Sequence, residues 1–211
     1  MNPSLTLPRR GLYALTPDDG GDAQHLVARV EAVLEGGAVL VQYRDKYADA
    51  ATRLARARAL VVACHARGVP LIVNDAVALA ADVGAAGVHL GRDDASPTEA
   101  RATLGAHAII GVSCYDSLAR GRDAFAAGAD YLAFGSVYPS ATKPRAVRCG
   151  LDVIAAAARE LPPPIVAIGG ITPENARPLL AAGAGLLAVI GALFERDDGA
   201  AAARAFAPAF A

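Results

Sequence analysis

The sequence predicts a single α/β domain, a (β/α)8 TIM barrel that spans residues 1–211. Two observations indicate this fold. Eight short apolar runs alternate with alanine-rich helical stretches, and the runs are continuous in Val, Ile and Leu, as in strands buried on both faces. Strands that alternate with helices are joined by parallel crossovers, and eight such units favour a closed barrel. A length of 211 residues with 54% hydrophobic residues suits one domain of this size.

The predicted strands, in chain order, cover residues 12–16, 39–44, 71–75, 87–91, 109–113, 131–135, 165–169 and 187–190. Glycines stand where the intervening helices should stop, as expected of left-handed C-terminal caps: Gly36, Gly37, Gly68, Gly84, Gly105, Gly128 and Gly183. An open doubly wound sheet is the alternative. No Gly-x-Gly-x-x-Gly follows the first strand, where a dinucleotide-binding fold requires it, but composition leaves the open sheet possible.

Charge and composition limit the partners and the compartment. A net charge of −1 offers no basic field for a nucleic-acid backbone, so we expect small-molecule substrates and no nucleic acid. Cys64, Cys114 and Cys149 are scattered and odd in number, which indicates free thiols in a reducing compartment. The N-terminal residues lack the apolar stretch of a secretory signal, and glycines interrupt the charge-free stretch 178–194. We therefore expect a cytoplasmic protein without a membrane segment.

Two carboxylates end neighbouring strands, Asp75 after strand three and Asp94 after strand four. If these strands are parallel neighbours, the two anions leave the same edge of the sheet and repel unless a cation lies between them. A small hard cation held by few carboxylates usually also binds phosphate. Each residue alone is more often an N-cap of the following helix, but their coincidence makes a shared Mg²⁺ the better joint explanation.

Cationic and hydroxyl side chains follow other strands. Arg44 and Lys46 come after strand two, with Gln42 on the same alternating face, and could clamp a diphosphate; an exposed polar turn is the alternative. Residues 140–143, Ser-Ala-Thr-Lys, lie in a long loop from Ser136 to about Cys149. Their hydroxyls can donate to phosphate oxygens and the lysine supplies a charge, whereas the alternative is a solvated surface turn.

Glycines follow the last two strands. Gly170 precedes Thr172 and Pro173, which we predict as the cap and first residue of the next helix, and Ile190-Gly191 ends strand eight. Loops after strands seven and eight form a recurring phosphate site in barrels, although a tight structural turn would need the same glycines. His89 lies within strand four and is predicted to be a satisfied core histidine. No Gly-x-Ser-x-Gly or His-Glu-x-x-His motif supports a serine triad or a zinc site.

Taken in order, six segments carry a family resemblance: QYRDK at 42–46, VND at 73–75, GVHLGRDD at 87–94, GVS at 111–113, YPSATKP at 138–144 and AIGGITPEN at 167–175. The chain resembles the thiamine-phosphate synthase family from Tyr13 to Phe194. The resemblance implies an enzyme that condenses 4-amino-2-methyl-5-(diphosphooxymethyl)pyrimidine with a thiazole phosphate, giving thiamine phosphate and diphosphate. It also implies Mg²⁺ and a dissociative route through a pyrimidine cation.

The resemblance also implies residue roles. The expected ligands of the pyrimidine diphosphate are Gln42, Tyr43, Arg44, Asp45, Lys46, Asn74, Ser113 and Lys143. The expected ligands of the thiazole phosphate are Ser140, Ala141, Thr142, Gly170, Ile190 and Gly191. Asp75 and Asp94 would hold the metal. Arg44, Ser113 and Lys143 would be catalytic, with the cations stabilising the leaving diphosphate.

Three positions depart from the family pattern: Ala76 stands where many relatives carry a second Asp, Cys114-Tyr115 replaces a common Ala-His, and Gly191 replaces a serine. Two other functions remain open at this point. A thiazole tautomerase of the same superfamily is disfavoured by the two acids and by Tyr115. A non-catalytic barrel that binds a phosphorylated ligand is disfavoured by the complete set of site residues. A homo-oligomer is possible.

Overall fold

The computed structural model describes residues 5–18, 21–139, 147–162 and 164–211. The strands are β1 (Gly11–Leu15), β2 (Ala38–Tyr43), β3 (Leu71–Asn74), β4 (Gly87–Leu90), β5 (Ile109–Tyr115), β6 (Tyr131–Phe134), β7 (Ile165–Ile168) and β8 (Leu186–Val189). The helices are α1 (Ala23–Glu35), α2 (Ala50–Ala66), α3 (Val77–Val83), α4 (Pro97–Leu104), α5 (Leu118–Ala126), α6 (Leu151–Glu160), α7 (Arg177–Ala181), α8 (Gly191–Phe194), α9 (Gly199–Arg204) and α10 (Ala207–Phe210).

The eight strands form a closed, all-parallel barrel in sequence order, with β8 pairing back onto β1. This confirms the predicted (β/α)8 fold and excludes the open sheet. Most strand ends fall within one or two residues of the prediction. The β5 strand runs further than predicted, to Tyr115, because its pairing with β6 continues past a register shift between Ser113 and Tyr115.

Two apolar layers hold the barrel together. Side chains that point inward fill the interior, among them Tyr13, Tyr131, Leu40, Ile72 and Ile109. Side chains on the outward faces of the same strands pack against the helices in two further clusters. This alternation follows from the period of two along each strand. The filled interior leaves the C-terminal ends of the strands open to form a site.

Helix termini follow the expected capping chemistry. Side chains at five helix starts accept a backbone N–H bond: Asp22, Asp49, Ser96, Ser117 and Asp198. Most of the predicted stop glycines adopt positive φ, namely Gly37, Gly68, Gly84, Gly105, Gly128 and Gly183. Gly36 instead stays in the right-handed region, and Gly37 takes the left-handed role. The capped helix starts end the βα loops, and the stop glycines begin the αβ loops on the other side of the barrel.

The predicted helix start after β7 is wrong. The α7 helix begins at Arg177, and Thr172 and Pro173 lie in a preceding turn. The side chain of Asn175 holds this turn: its Oδ1 accepts from Thr172 N at 2.8 Å and its Nδ2 donates to Gly170 O at 3.0 Å. An Asn side chain competes with helical backbone bonds in this way. The delayed start leaves Gly170 in a loop that faces the barrel mouth.

Cys64, Cys114 and Cys149 are free and buried, in line with the predicted free thiols. Burial raises the pKa of the Cys64 and Cys114 thiols to about 12, so neither is a ready nucleophile. Within the described part of the chain, we find no helix that combines the length and apolarity of a membrane span.

Candidate active site

A cavity of about 980 Å³ opens at the C-terminal ends of the strands. This is the end of a barrel at which (β/α)8 proteins carry their sites. Many of the sequence-predicted site residues line the cavity: Gln42, Arg44, Lys46, Asn74, Asp75, Asp94, Ser113, Gly170, Ile190 and Gly191. Residues from β2, β3, β4, β5, β7 and β8 thus meet in one place, as the sequence predicts. The predicted residues Ser140, Ala141, Thr142 and Lys143 lie outside the described residues.

The end of β2 presents alternate residues to the cavity. Gln42, Arg44 and Lys46 line it, as the strand period predicts. Asp18 anchors this segment, since its carboxylate pairs with the Arg44 guanidinium and accepts from Lys46 N at 3.1 Å. The Thr16 hydroxyl exchanges hydrogen bonds of 2.9 Å with the backbone N–H and C=O of Arg44. Arg44 and Lys46 form a cationic rim on the cavity. The end of β1 and the loop that follows it hold this rim in place.

Tyr43 and Asp45 do not line the cavity, so this geometry does not support their predicted role as substrate ligands. They belong to the opposite face of the same segment, and the Asp45 carboxylate is buried against Arg56 of α2. Asp45 also accepts from Tyr43 Oη at 3.2 Å and from Ala48 N at 3.0 Å. Burial opposes ionisation, but the backbone N–H groups of Ala48 and Tyr47 together with Arg56 outweigh it and lower the pKa of Asp45. The ion pair between Asp45 and Arg56 therefore holds the loop between β2 and α2 in place.

The two predicted metal ligands meet at the rim. Asp75 and Asp94 both line the cavity, and Asp94 is near enough to raise the pKa of the Asp75 carboxyl. Burial raises the pKa of Asp75 to about 6, with Asp94 adding to the shift and Lys46 and Asn74 opposing it. Two acids in such a position share a proton or hold a cation between them. Across the described residues, no cluster of three or more His, Cys, Asp or Glu side chains accompanies them.

The local backbone shows that neither acid is a helix cap. The N-cap of α3 is Ala76, which makes no side-chain bond, and Asp75 adopts a left-handed φ of 62°. The N-cap of α4 is Ser96, which forms a capping box with Glu99. Asp94 instead accepts from Gly91 N at 2.6 Å. The capping alternative is therefore excluded for both acids, and their carboxyl groups remain at the cavity.

Ser113 reaches the cavity from β5, and its hydroxyl contacts His89 Nε2 at 2.9 Å. His89 is 7% exposed, and its Nδ1 contacts Tyr131 Oη at 2.9 Å. Both ring nitrogens of His89 therefore have hydrogen-bond partners, in keeping with the prediction of a satisfied core histidine. However, His89 also lines the cavity, which strand position alone did not predict.

The glycines after β7 are required by close packing. A Cβ on Gly170 would lie 2.2 Å from Pro139 O, and one on Gly169 would lie 2.1 Å from Ser136 Oγ. Both residues also have positive φ. The loops after β6 and β7 thus touch through glycine backbone, and Gly170 leaves its own backbone at the cavity surface.

Further lining residues were not predicted from the sequence: Tyr13, Arg92, Tyr115, Glu174, Glu195 and Arg196. Tyr115 has a left-handed φ of 57°, and its ring lies 4.8 Å from the Arg92 guanidinium and 5.7 Å from that of Arg120. Arg120 also donates to Ser113 O at 2.7 Å and to Gly91 O at 2.9 Å, which ties the ends of β4 and β5 together. These contacts between loops have no local sequence signal.

Fold and cavity together define a class, a (β/α)8 barrel with a cavity lined by acidic and basic side chains at the C-terminal ends of its strands. Comparison with known proteins is more specific. A family model described as thiamine monophosphate synthase matches residues 12–193. The chain belongs to this family of enzymes, transferases of thiamine biosynthesis.

Individual relatives agree with this assignment. The chain is 54% identical over 202 residues to a thiamine-phosphate synthase of Azoarcus sp., covering 96% of this chain and 98% of the relative. It is 55% identical over 188 residues to one of Thiobacillus denitrificans, covering 89% of each. A solved structure of thiamine phosphate pyrophosphorylase from Pyrococcus furiosus superposes with a TM-score of 0.84 at 32% identity, covering 96% of both chains. A 3-hexulose-6-phosphate synthase, at 19% identity and a TM-score of 0.69, shares the fold.

Proposed function

We propose that the protein condenses 4-amino-2-methyl-5-(diphosphooxymethyl)pyrimidine with a thiazole phosphate in a Mg²⁺-dependent reaction that releases diphosphate. The observation that carries this proposal is the meeting of an acid pair and a cationic rim in one cavity. Asp75 and Asp94 lie at one edge, and Lys46 is close enough to lower the pKa of Asp75. A metal diphosphate needs this combination, because its ion and its phosphates carry opposite charges.

The acid pair fits Mg²⁺. Asp75 and Asp94 would hold the ion, which when bound neutralises negative charge on the diphosphate. Mg²⁺ commonly takes one or two carboxylates and completes its coordination with water and substrate phosphate oxygens. Two carboxylates, with no cluster of three or more potential metal ligands among the described residues, match that pattern. Ala76 leaves Asp75 as the acid supplied by the end of β3.

Bond breaking in this proposal is dissociative. The C–O bond between the pyrimidine methylene and the diphosphate breaks, its electron pair leaves with the diphosphate, and the aminopyrimidine delocalises the positive charge. Arg44 and Lys46, both at the cavity wall, stabilise the charge that develops on the leaving group. Lys143 would add a third cation. The thiazole nitrogen then supplies the electron pair of the new C–N bond, so no protein nucleophile is needed.

The substrates divide the cavity. Gln42, Asn74 and Ser113 offer amide and hydroxyl groups to the pyrimidine diphosphate beside the acid pair. Gly170, Ile190 and Gly191 lie at the ends of β7 and β8 and would hold the thiazole phosphate through backbone groups, together with residues 140–142. Holding both substrates in one cavity makes the attack effectively intramolecular. Buried free thiols suit a reducing cytoplasm, where we place the reaction.

Two observations weigh against the alternative functions. A tautomerase needs no site for a diphosphate metal complex, yet the acid pair is present. Tyr115 contacts the guanidinium groups of Arg92 and Arg120 and offers no imidazole. A non-catalytic binder would not need a pair of acids beside a cationic rim. The synthase function accounts for both groups.

The experiment is a product assay on the purified protein with both substrates and Mg²⁺. We expect thiamine phosphate and diphosphate in equal amounts, and loss of both when the metal is chelated. A tautomerase would instead interconvert thiazole phosphate isomers without the pyrimidine substrate. A non-catalytic barrel would bind the phosphates and release nothing. Absence of diphosphate release under saturating substrates and Mg²⁺ would refute the proposal.

A further inference from the structure

A chain of hydrogen bonds crosses the barrel interior from one cavity wall to the other. Gln42 Nε2 donates to Tyr13 Oη at 2.7 Å, and Tyr13 Oη contacts Tyr131 Oη at 2.8 Å. Tyr131 Oη contacts His89 Nδ1 at 2.9 Å, and His89 Nε2 contacts Ser113 Oγ at 2.9 Å. The chain joins β2, β1, β6, β4 and β5, which are far apart in sequence. It ends on Gln42 and Ser113, two residues proposed above to bind the pyrimidine diphosphate.

Tyr131 differs from the other four members of the chain because it does not line the cavity. Its side chain is fully buried, beneath the floor on which a substrate would lie. The fold makes room for the ring at Gly111, where a Cβ would lie 1.8 Å from Tyr131 Cζ. Any effect of the Tyr131 hydroxyl on a bound substrate must therefore pass through its neighbours.

The donors and acceptors fix a direction along the chain. The Gln42 NH₂ group can only donate, so Tyr13 accepts from it. The fully buried Tyr13 hydroxyl then needs a partner for its own hydrogen, and donation to Tyr131 supplies one. Tyr131 in turn gives its proton to His89 Nδ1. A neutral imidazole that accepts at Nδ1 carries its hydrogen on Nε2, and this hydrogen is donated to Ser113 Oγ. The Ser113 hydroxyl hydrogen is then left to point into the cavity.

The opposite direction would change the chemistry of the site. It would need the Gln42 carbonyl to face Tyr13 and a hydrogen on His89 Nδ1, and Ser113 would donate to His89 Nε2. Ser113 would then present a lone pair to the substrate instead of a hydrogen. The two directions therefore predict opposite hydrogen-bonding roles for one side chain of the site.

We propose that Tyr131 is a positioning residue, which sets the His89 tautomer and thereby makes Ser113 a hydrogen-bond donor toward the pyrimidine substrate. Ring packing holds the members of this hydrogen-bond chain in position. The Tyr13 and Tyr131 rings meet edge to face with their centroids 5.9 Å apart, and the His89 and Tyr131 rings lie 21° from parallel. The role of Ser113 toward substrate rests on the function proposed above, whereas the tautomer of His89 is a property of the protein alone.

The first test is the ¹⁵N NMR spectrum of the histidine rings at pH 8 without substrate, with His89 assigned by the loss of its signals in His89→Gln. The wild-type protein should show a neutral ring with the hydrogen on Nε2. Tyr131→Phe keeps the ring but removes the hydroxyl, so the hydrogen should redistribute between Nδ1 and Nε2. Tyr13→Phe is the matched control, because Tyr131 can still donate to Nδ1 and the Nε2–H form should persist. A wild-type ring with the hydrogen on Nδ1, or a charged ring, would overturn the proposal.

The second test is a double-mutant cycle on turnover. Tyr131→Phe should lower kcat about three- to tenfold, since one hydrogen bond to the substrate is misdirected. In a Ser113→Ala background the same change should cost less than about twofold, because no hydroxyl remains to orient. An equal loss in both backgrounds would show that Tyr131 acts by packing alone and would overturn the proposal. If the protein forms no thiamine phosphate, the proposed synthase function is wrong. The NMR measurement still shows whether Tyr131 sets the tautomer of His89.

Discussion

At the scale of single residues, Asp75 carries two unfavourable features at once. Its backbone has a left-handed φ of 62°, which costs free energy for any residue with a Cβ. Burial and the neighbouring Asp94 raise the pKa of its carboxyl to about 6, so ionisation is less favourable in the folded protein than in the unfolded chain. The residue makes no side-chain cap that would offset these costs. Such features persist at functional sites, where the strain and the charge serve a ligand.

This combination predicts a pH-dependent gain in stability for Asp75→Asn without added metal. The folded-state pKa lies above the unfolded value, so ionisation costs stability as pH rises through about 4 to 6. At pH 8 in the presence of a chelator, the variant should melt about 2 °C higher than the wild type, and at pH 4 the gain should shrink. Thermal unfolding measures both, with the exposed Asp82→Asn as control. An equal or lower melting temperature at pH 8 would contradict the electrostatic account.

At the scale of elements, the β2–α2 connection separates residues that line the cavity from residues that support the loop. Strand alternation places Gln42, Arg44 and Lys46 at the cavity, whereas the Asp45 carboxylate turns back to Arg56 with only 5% of its side chain exposed. Asp45→Asn should therefore destabilise the protein by about 3 kcal/mol, because it leaves a buried guanidinium unpaired. Urea denaturation measures this loss.

Two further measurements distinguish this supporting role from direct binding. The KM of residual folded enzyme should stay near that of the wild type, since Asp45 does not line the cavity. Asp45→Asn combined with Arg56→Met should recover part of the lost stability by removing the unpaired charge. An unchanged denaturation midpoint with a raised KM would instead assign Asp45 to the substrate.

The same elements show which parts of the site could be predicted. The positions of Asp75 and Asp94 follow from local patterns, because each ends an apolar run and neighbouring runs become parallel strands. The partner of Asp45 could not be found this way, since Arg56 lies in the following helix among several similar arginines. Thr172 and Pro173 have the pattern of a helix start, but the Asn175 side chain stabilises a turn instead.

At the scale of the whole molecule, the barrel interior links stability to the site. Tyr13 and Tyr131 meet across the interior, and their contact with His89 extends to the cavity wall. Sequence periodicity predicts that these residues are inside, yet it cannot show which inward side chains meet, because that depends on how closure brings distant strands together. Counting eight strands was therefore enough to predict the fold, but it could not predict the hydrogen bonds among Tyr13, Tyr131 and His89.

Because the barrel is closed, we expect its stability to be sensitive to substitution of Gly111, whose missing Cβ makes room for the Tyr131 ring. Gly111→Ala should destabilise the protein by about 1–3 kcal/mol, because the added Cβ would collide with a fully buried ring. The same change in a Tyr131→Ala background should cost clearly less, as measured by chemical denaturation of both pairs. Equal costs in the two backgrounds would show that the barrel adjusts elsewhere.

The central claim is that Asp75 and Asp94 hold one divalent cation together with diphosphate. The most direct measurement is a titration of the protein with Mn²⁺ as a paramagnetic substitute for Mg²⁺, with free Mn²⁺ followed by EPR in the presence and absence of inorganic diphosphate. We predict one Mn²⁺ per chain, bound more tightly with diphosphate, and an affinity that falls by about tenfold or more in Asp94→Asn. Equal affinity for Mn²⁺ and diphosphate in the wild type and Asp94→Asn would contradict the claim.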